Sequence, residues 1–123
     1  PRLVFVTGRG EEAGYGLVDA MTVVPDSPTA VLLVFETVAI GIYRRLAELG
    51  RVPGRDLAII GFRDEPTVRF LAPSLTCFGV SLHGIGEDIA RALLARMPAF
   101  ADLPTRPPVE RLVPFSIRIG ASG

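Results

Sequence analysis

The sequence predicts an α/β domain built on a parallel sheet. Short apolar runs recur along the chain, and segments with helical spacing separate them. Continuous apolar strands are typical of parallel sheets whose two faces are both covered, and strands alternating with helices favour the same architecture. At 123 residues, of which 49% are hydrophobic, the chain is long enough for one domain with a core of its own.

The first half of the chain predicts two strands and two helices. Leu3–Thr7 is rich in β-branched and aromatic residues and ends at a glycine, which is typical of a buried strand. A short helix over Glu11–Val18 follows, then a turn between two prolines and a second buried strand, Ala30–Phe35. Thr37–Leu49 has apolar residues at helical spacing, and Gly50 suits the position after a helix C-terminus.

The second half predicts three further strands and one strongly amphipathic helix. Leu57–Phe62 is a third buried strand, and Leu75–Val80 is a shorter one after an irregular connection. The helix spans Leu82–Met97, and after a proline-rich link a final strand covers Val109–Ile119. The apolar stripe of this helix consists of Leu82, Ile85, Ile89, Leu93 and Met97.

Charge and cysteine content argue against several classes of protein. Thirteen basic residues balance thirteen acidic ones, so this chain has no basic field with which to bind nucleic acid. The single cysteine, Cys77, excludes an internal disulfide and a cysteine-rich zinc site. We recognise no signal peptide and no apolar run of membrane-spanning length, so no membrane partner is predicted. Because the chain starts at Pro1, directly before a predicted strand, we expect it to be a fragment.

A glycine motif near the start offers two interpretations. Gly8, Gly10 and Ala13 match the G-x-G-x-x-G/A spacing of dinucleotide-binding loops. A bound pyrophosphate needs the following helix N-terminus free of negative charge, but Glu11 and Glu12 occupy its first turn. We therefore favour a strand–turn–helix junction that uses glycine for tight geometry, and we predict no cofactor.

The residues that most often carry out catalysis are isolated in this sequence. His83 is the single histidine, and although Ser81 is close in sequence, no G-x-S-x-G motif is present. Cys77 lies inside an apolar strand, and the sequence offers no basic neighbour that would activate its thiol. No metal-binding motif is recognisable. We predict that the chain is not an enzyme and holds no metal.

Polar residues follow the predicted strands at the positions where open α/β sheets bind ligands. Arg9 follows the first strand, Phe35 and Glu36 end the second, and Arg63 and Asp64 follow the third. An aromatic ring between two arginines suits a small polar ligand, and the arginines favour an anionic one. The alternative is that both arginines are solvated loop residues.

Two long segments carry a resemblance to a known family. "SPTAVLLVFETVAIGIYRRLAELGRVPGRDLAIIGFRDEP", Ser27–Pro66, resembles the effector-binding core of LacI/GalR-type transcription regulators, with its P-T-A strand and its L-G-x-x-V-P-x-D-[apolar]-G-[FY]-D block. "FLAPSLTCFGVSLHGIGEDIARALLAR" is similar to the P-x-L-T-T strand and the helix that follows it. The resemblance covers nearly the whole chain, and several blocks agree in order.

The resemblance implies a periplasmic-binding-protein-like (Rossmann-like) fold with two α/β subdomains and a ligand between them. Residues 1–75 and 109–123 would form most of the second subdomain. Residues 76–108 would supply a crossover strand and a helix to the first. The family is cytoplasmic, usually homodimeric, and binds operator DNA through an N-terminal helix-turn-helix that this chain does not contain. The helix after Glu36 and the "FLAPSL" segment would lie at the dimer contact.

Four positions depart from the contacts that are customary in the family. The positions that correspond to the family's aromatic, asparagine, aspartate and final polar ligand contacts are Arg9, Phe35, Arg63 and Val80. Arginine only donates hydrogen bonds and prefers carboxylate or phosphate, whereas aspartate accepts them from sugar hydroxyls. We therefore expect a small, sugar-like effector, which is a sugar, a sugar phosphate or a sugar acid, and the arginines favour the two anionic classes. Glu36 and Asp64 are expected to cap helices or to support the ligand contacts.

Two other classes of protein stay open at this point. A periplasmic solute-binding protein would share the architecture, and a nucleotide-cofactor enzyme would need the glycine loop to accept phosphate.

Whichever class of protein this is, the Leu82–Met97 helix has an apolar stripe that needs a partner. We expect the chain to self-associate through this helix, or the helix to fold back onto its own sheet.

Overall fold

The computed structural model describes residues 8–97, 110 and 112–123, and it divides the chain into two units. The first unit comprises Pro1–Gly79 and Ser116–Gly123, and the second comprises Val80–Phe115. The sequence interpretation assigned residues 76–79 to the other subdomain, whereas here they belong to the first unit because they pair with its sheet. Where the subdomains of the intact protein begin and end stays a prediction.

The first unit is built on a four-stranded, mostly parallel sheet, which confirms the predicted fold class. The strands are β1 (Ala30–Leu33), β2 (Ala58–Gly61), β3 (Thr76–Gly79) and β4 (Ser116–Arg118), and they lie side by side in that order. The first three are parallel, and β4 runs antiparallel to β3. The predicted first strand, Leu3–Thr7, lies outside the described residues. Residues 109 and 111 of the predicted last strand do so too, and residues 112–115 are not in a strand, so the strand is confirmed only over Ser116–Arg118.

The strands are shorter than predicted, and one face of β1 is exposed in the described residues. Leu33 is buried in the core, whereas Leu32 and Val34 on either side of it are 65% and 63% exposed. The expectation that both faces of the sheet are covered is therefore wrong for this edge. Phe35, past the end of β1, also packs against the core.

Two helices cover the other face. Helix α1 (Glu11–Thr22) extends beyond the predicted end at Val18, and α2 (Thr37–Glu48) matches its prediction to within one residue. Gly50 has a φ of 66°, a conformation that glycine adopts without strain, and its N–H donates to a carbonyl of the last helical turn. This is the predicted role of Gly50.

The core lies between these helices and the sheet, and the C-terminal segment closes it. Its fully buried members include Val18, Ile42, Leu46, Ile59, Val68 and Leu75. Ser122 is also completely buried: its Oγ donates to the Ile59 carbonyl at 2.7 Å and accepts from the Thr76 N–H at 2.9 Å. One serine hydroxyl thus joins β2 to β3 where the two strands begin.

The second unit contains helix α3, Leu82–Leu94, which ends before the predicted Met97. Ser81 caps it by accepting a hydrogen bond from the Gly84 N–H at 3.0 Å. No residue of α3 is buried, and Ile89 and Leu93 of the predicted stripe are each 64% exposed. Self-association through this stripe stays a prediction. None of the helices in the described part of the chain has the length and apolar character needed to cross a membrane.

Candidate functional site

The predicted ligand residues gather at one edge of the sheet because parallel strands end at the same side. Phe35 and Glu36 lie between β1 and α2, Arg63 and Asp64 follow β2, and Arg9 lies just before α1. Described contacts join Arg9 to Phe35 and Arg63 to Glu36. This edge site, defined by these five residues, therefore consists of two contacting pairs and an aspartate.

The first pair is a cation over an aromatic ring. The guanidinium carbon of Arg9 lies 4.8 Å from the centroid of the Phe35 ring, within the range of a cation–π contact. Phe35 is half-buried and packs against the core, whereas Arg9 is exposed. Among the residues that the structure describes, no carboxylate pairs with Arg9. The ring thus holds an arginine whose charge is available to a ligand.

The second pair is an arginine between two carboxylates. Arg63 Nη2 donates to Glu65 Oε1 at 2.5 Å, and Arg63 Nη1 lies 3.8 Å from Glu36 Oε2. That Glu36 oxygen is buried and has no hydrogen-bond partner within the described residues. Glu36 occupies the N-cap position of α2, but its side chain makes no capping hydrogen bond. The capping role expected for Glu36 is therefore wrong, because its carboxylate turns to Arg63 instead.

Asp64 also supports other side chains and does not cap a helix. Its Oδ2 accepts from Arg69 Nη2 at 3.2 Å, and its Oδ1 accepts from Arg118 Nε at 3.2 Å. Burial raises the pKa of the Asp64 carboxyl, but the hydrogen bonds from the two arginines outweigh burial and hold that pKa below its usual value. Asp64 is therefore a charged anchor for the loop that contains Arg63.

Arg118 is a residue that the sequence reading missed. The antiparallel register of β4 places it opposite Cys77, and its Nη2 donates to Cys77 Sγ at 3.2 Å. Cys77 therefore does have a basic neighbour, contributed by a strand 41 residues away in sequence. Burial raises the pKa of the Cys77 thiol, and the nearby guanidinium offsets only part of this rise. The thiol is thus a buried core group, as expected.

The remaining candidates are placed separately. Val80 follows β3 directly and is half-buried, but it belongs to the second unit, so its ligand contact stays a prediction. His83 is exposed, and its Nε2 lies 3.4 Å from Oε1 of Glu87 on the same helix. Within the described residues no three side chains of metal-binding type form a group that could hold a metal ion.

The glycine motif is explained by packing. A Cβ at Gly8 would lie 2.6 Å from the Cβ of Ala13, closer than two carbon atoms approach without bonding. Gly10 has a φ of 87°, which side chains rarely allow. Glu11 and Glu12 are exposed in the first turn of α1. The loop needs small residues at these positions to turn and to pack, which agrees with the strand–turn–helix interpretation.

The fold and the edge site define an α/β ligand-binding domain, and comparison with known proteins identifies its family. The chain matches the family described as a periplasmic binding protein-like domain over residues 2–122. It belongs to this family, in the branch formed by the effector-binding domains of LacI/GalR-type transcription regulators. The resemblance seen in the sequence is therefore confirmed.

Two curated relatives and two solved structures illustrate the match. The lactose operon repressor of Rhizobium radiobacter is 32% identical over 87 residues, which are 70% of this chain and 76% of that protein. The PurR repressor of Mannheimia succiniciproducens is 34% identical over 87 residues, but the match spans 26% of its length. A LacI-family regulatory protein of Chloroflexus aggregans is 29% identical with a TM-score of 0.77, covering 94% of this chain and 41% of that one.

The second solved structure contains a ligand. A LacI-family regulator of Enterococcus faecalis V583 with bound ribose is 25% identical with a TM-score of 0.77, again covering 94% of this chain and 41% of the other. The chain thus spans less than half the length of both solved neighbours. The relatives are transcription regulators, which does not favour a periplasmic solute-binding protein or a nucleotide-cofactor enzyme.

Proposed function

We propose that this chain is the effector-sensing part of a cytoplasmic LacI-type transcription regulator, and that its effector is a small, sugar-like anion. The observation that carries the proposal is the Arg9 guanidinium, which pairs with no carboxylate among the described residues and is held on the Phe35 ring at the carboxyl edge of the sheet. In this proposal Arg9 and Arg63 donate to the anionic group, and Phe35 provides an apolar surface. Operator DNA is bound by a domain outside this chain, and the site has no catalytic role.

The edge site suits a ligand that carries both an anionic group and hydroxyl groups. Arg9 needs an acceptor, and a carboxylate or phosphate accepts its N–H groups with the best geometry. The Glu36 carboxylate accepts hydrogen bonds, and its side chain is 16% exposed, so a ligand hydroxyl group can donate to its exposed part. Arg63 already shares its charge with two carboxylates, but its guanidinium has further N–H groups to donate. Sugar acids and sugar phosphates carry both an anionic group and hydroxyls.

Calorimetric titration with D-ribose, D-ribose 5-phosphate and D-gluconate tests the ligand class. We expect one of the two anions to bind more tightly than ribose, and its affinity to fall with added salt. Arg9→Ala should weaken anion binding by about 10- to 100-fold, the effect of losing a charged hydrogen bond. The control is Arg55→Ala, because Arg55 is exposed and lies outside the edge site, and its ion pair in the described residues is with its neighbour Asp56. Tight binding of ribose that Arg63→Ala leaves unchanged would contradict the proposal.

We also propose that the outer surface of α1 and α2 forms a homodimer contact. A shallow, mostly apolar depression lies on this surface, lined by Glu11, Glu12, Tyr15, Gly16, Ile40, Gly41 and Arg44. Its rim has acidic residues on α1 and a basic residue on α2. A two-fold axis brings such a surface onto itself with opposite charges facing each other. Phe70, on the 3₁₀ helix Pro66–Phe70, is 89% exposed and lies in the segment that the family resemblance assigns to this contact.

Sedimentation equilibrium tests the dimer contact. Ile40→Asp should shift the protein toward monomer, because it places an uncompensated carboxylate in the centre of an apolar contact. Val23→Asp is the control, because Val23 is 81% exposed and does not line the depression. Equal dissociation constants for the wild type and Ile40→Asp would exclude this surface as the contact.

Regulation then follows from the linkage between effector and conformation. An effector changes operator affinity only by the difference between its affinities for the two conformations of the regulator. A change of about 100-fold in operator affinity requires that the effector's binding free energies for the two conformations differ by roughly 2.7 kcal/mol. A few hydrogen bonds made at the edge site in one conformation and lost in the other are enough to supply this difference.

A further inference from the structure

An ion-pair network outside the ligand contacts joins the loop after β2 to strands β3 and β4. Asp64, in that loop, accepts hydrogen bonds from Arg118 on β4 and from Arg69 on the 3₁₀ helix. Arg118 in turn contacts Cys77 on β3. The Asp64 side chain is only 18% exposed, so solvent screens these contacts less than those of a surface pair. The network therefore fixes the residue that directly follows Arg63.

The two strands in this network also contain the points at which the chain leaves and re-enters the first unit. The chain passes into the second unit after Gly79, the last residue of β3, and returns at Ser116, the first residue of β4. Ser116 Oγ donates to the Gly79 carbonyl at 3.3 Å, so the two crossing points are held together. Arg118 lies two residues after the return, opposite Cys77.

We propose that Arg118 is a positioning residue for the edge site: through Asp64 it fixes the loop that presents Arg63 to the ligand. The ligand part of this inference rests on the proposed function. Within the described part of the chain, the side chains that Arg118 contacts are Asp64 and Cys77, and neither is proposed to touch the ligand. Arg118 holds the Asp64 carboxylate with both Nε and Nη2. Its own backbone is fixed, because the two residues before it, Ser116 and Ile117, pair with β3.

Arg69 binds the same carboxylate but is not equivalent to Arg118. Its side chain is 60% exposed, against 36% for Arg118, and its hydrogen bonds to Asp64 measure 3.2 and 3.4 Å. Exposed pairs of this kind contribute little because water and salt screen them. Arg69→Met is therefore the matched control for Arg118→Met: it removes the other cation from the same carboxylate.

The ligand test uses D-ribose 5-phosphate as the probe and a double-mutant cycle. Arg118→Met and Asp64→Asn should each weaken binding by about tenfold, and the double variant should lose no more than either single one, because both remove the same contact. Arg118→Lys should recover part of the affinity, since it restores the charge but not the two-nitrogen contact. Kd is measured well below the unfolding midpoint of each variant, so a loss of stability alone leaves it unchanged.

Amide hydrogen exchange gives a readout that needs no ligand. In Arg118→Met we expect faster exchange at residues 62–65 with unchanged exchange in α1 and α2, and little change in Arg69→Met. If the wild type does not bind the probe, the proposed ligand class fails, and exchange alone decides the role of Arg118. Unchanged exchange at residues 62–65 in Arg118→Met would overturn the inference, as would additive losses of affinity in the double variant.

Discussion

The contact between α1 and α2 makes a sharp prediction because the two helices meet backbone to backbone. A Cβ placed on Gly41 would overlap the Glu11 carbonyl oxygen and the Tyr15 nitrogen. These are backbone atoms of another helix, so no side chain can rotate away and the helices have to separate. Gly16 lies on the same pair of helices with nothing near its Cβ position. Gly41→Ala and Gly16→Ala therefore form a matched pair.

The expected magnitude follows from two opposing terms. Each alanine gains about 1 kcal/mol of helix propensity over glycine. Gly41→Ala also incurs the cost of overpacking a tight contact, about 1–3 kcal/mol or more. Because the propensity gain is common to both variants, the difference between their free energies of unfolding isolates the steric cost. We expect Gly16→Ala to equal or exceed the wild type in stability and Gly41→Ala to fall below Gly16→Ala by about 1–3 kcal/mol.

Urea unfolding followed by circular dichroism measures this difference in the free energy of unfolding. Equal dependence of that free energy on urea concentration in the two variants confirms that both expose the same surface on unfolding. A consequence at the edge site is expected as well. Glu11 is two residues from Arg9, so separation of the helices displaces Arg9 from the Phe35 ring and weakens anion binding in Gly41→Ala but not in Gly16→Ala. If Gly41→Ala unfolds at the same urea concentration as Gly16→Ala, the helices do not pack through their backbones and the argument fails.

Three further predictions concern buried or paired groups. Ser122→Ala should lower the free energy of unfolding by about 1–3 kcal/mol, since it leaves two buried backbone groups unpaired, and urea unfolding against the exposed-site variant Ser27→Ala checks this. Hydrogen bonds from Tyr15 and then Arg44 lower the pKa of Glu48 to about 2. The ionised Glu48 carboxylate therefore stabilises the fold above pH 4.5, its pKa in the unfolded chain, and this stabilisation is lost as the pH falls toward 2. The melting temperatures of the wild type and Glu48→Gln should converge over that pH range, and a constant difference between them would count against these contacts. Cys77 should resist iodoacetamide at pH 8 in the folded protein and react in urea, and equal rates in both would contradict its burial.

The positions of the strands along the chain were predictable because continuous apolar runs are a strong local signal. The ends of the elements were less so, because local patterns do not show where backbone pairing stops. Phe35 was read as part of a strand, but pairing ends at Leu33 and the ring belongs to the loop before α2. Val18 was taken as the last residue of α1, but the helix continues to Thr22, and Met21 in the added turn also packs against the core.

The sequence predicted which residues lie at the edge site, but it did not predict which side chains contact one another there. Arg9, Phe35 and Arg63 were found because parallel strands end at one side of a sheet, a rule that needs only the strand positions. The network around Asp64 was missed because it depends on the register of the antiparallel β4, which the sequence does not reveal. Arg118 lies 54 residues from Asp64 along the chain, and one residue of slip in that strand would turn its side chain to the other face.

The departures from the family pattern at the edge site are coupled to one another. Arginine at position 63 would leave a half-buried positive charge, and the carboxylates of Glu36 and Glu65 balance it. Glu36 makes no capping hydrogen bond at the start of α2, and its Oε2 lies 3.8 Å from Arg63 Nη1. With Arg63 neutralised within the protein, Arg9 holds the charge that is free for a ligand. We therefore expect preference for an anion to depend on Arg9 more than on Arg63, which donates its remaining N–H groups to the same anionic group.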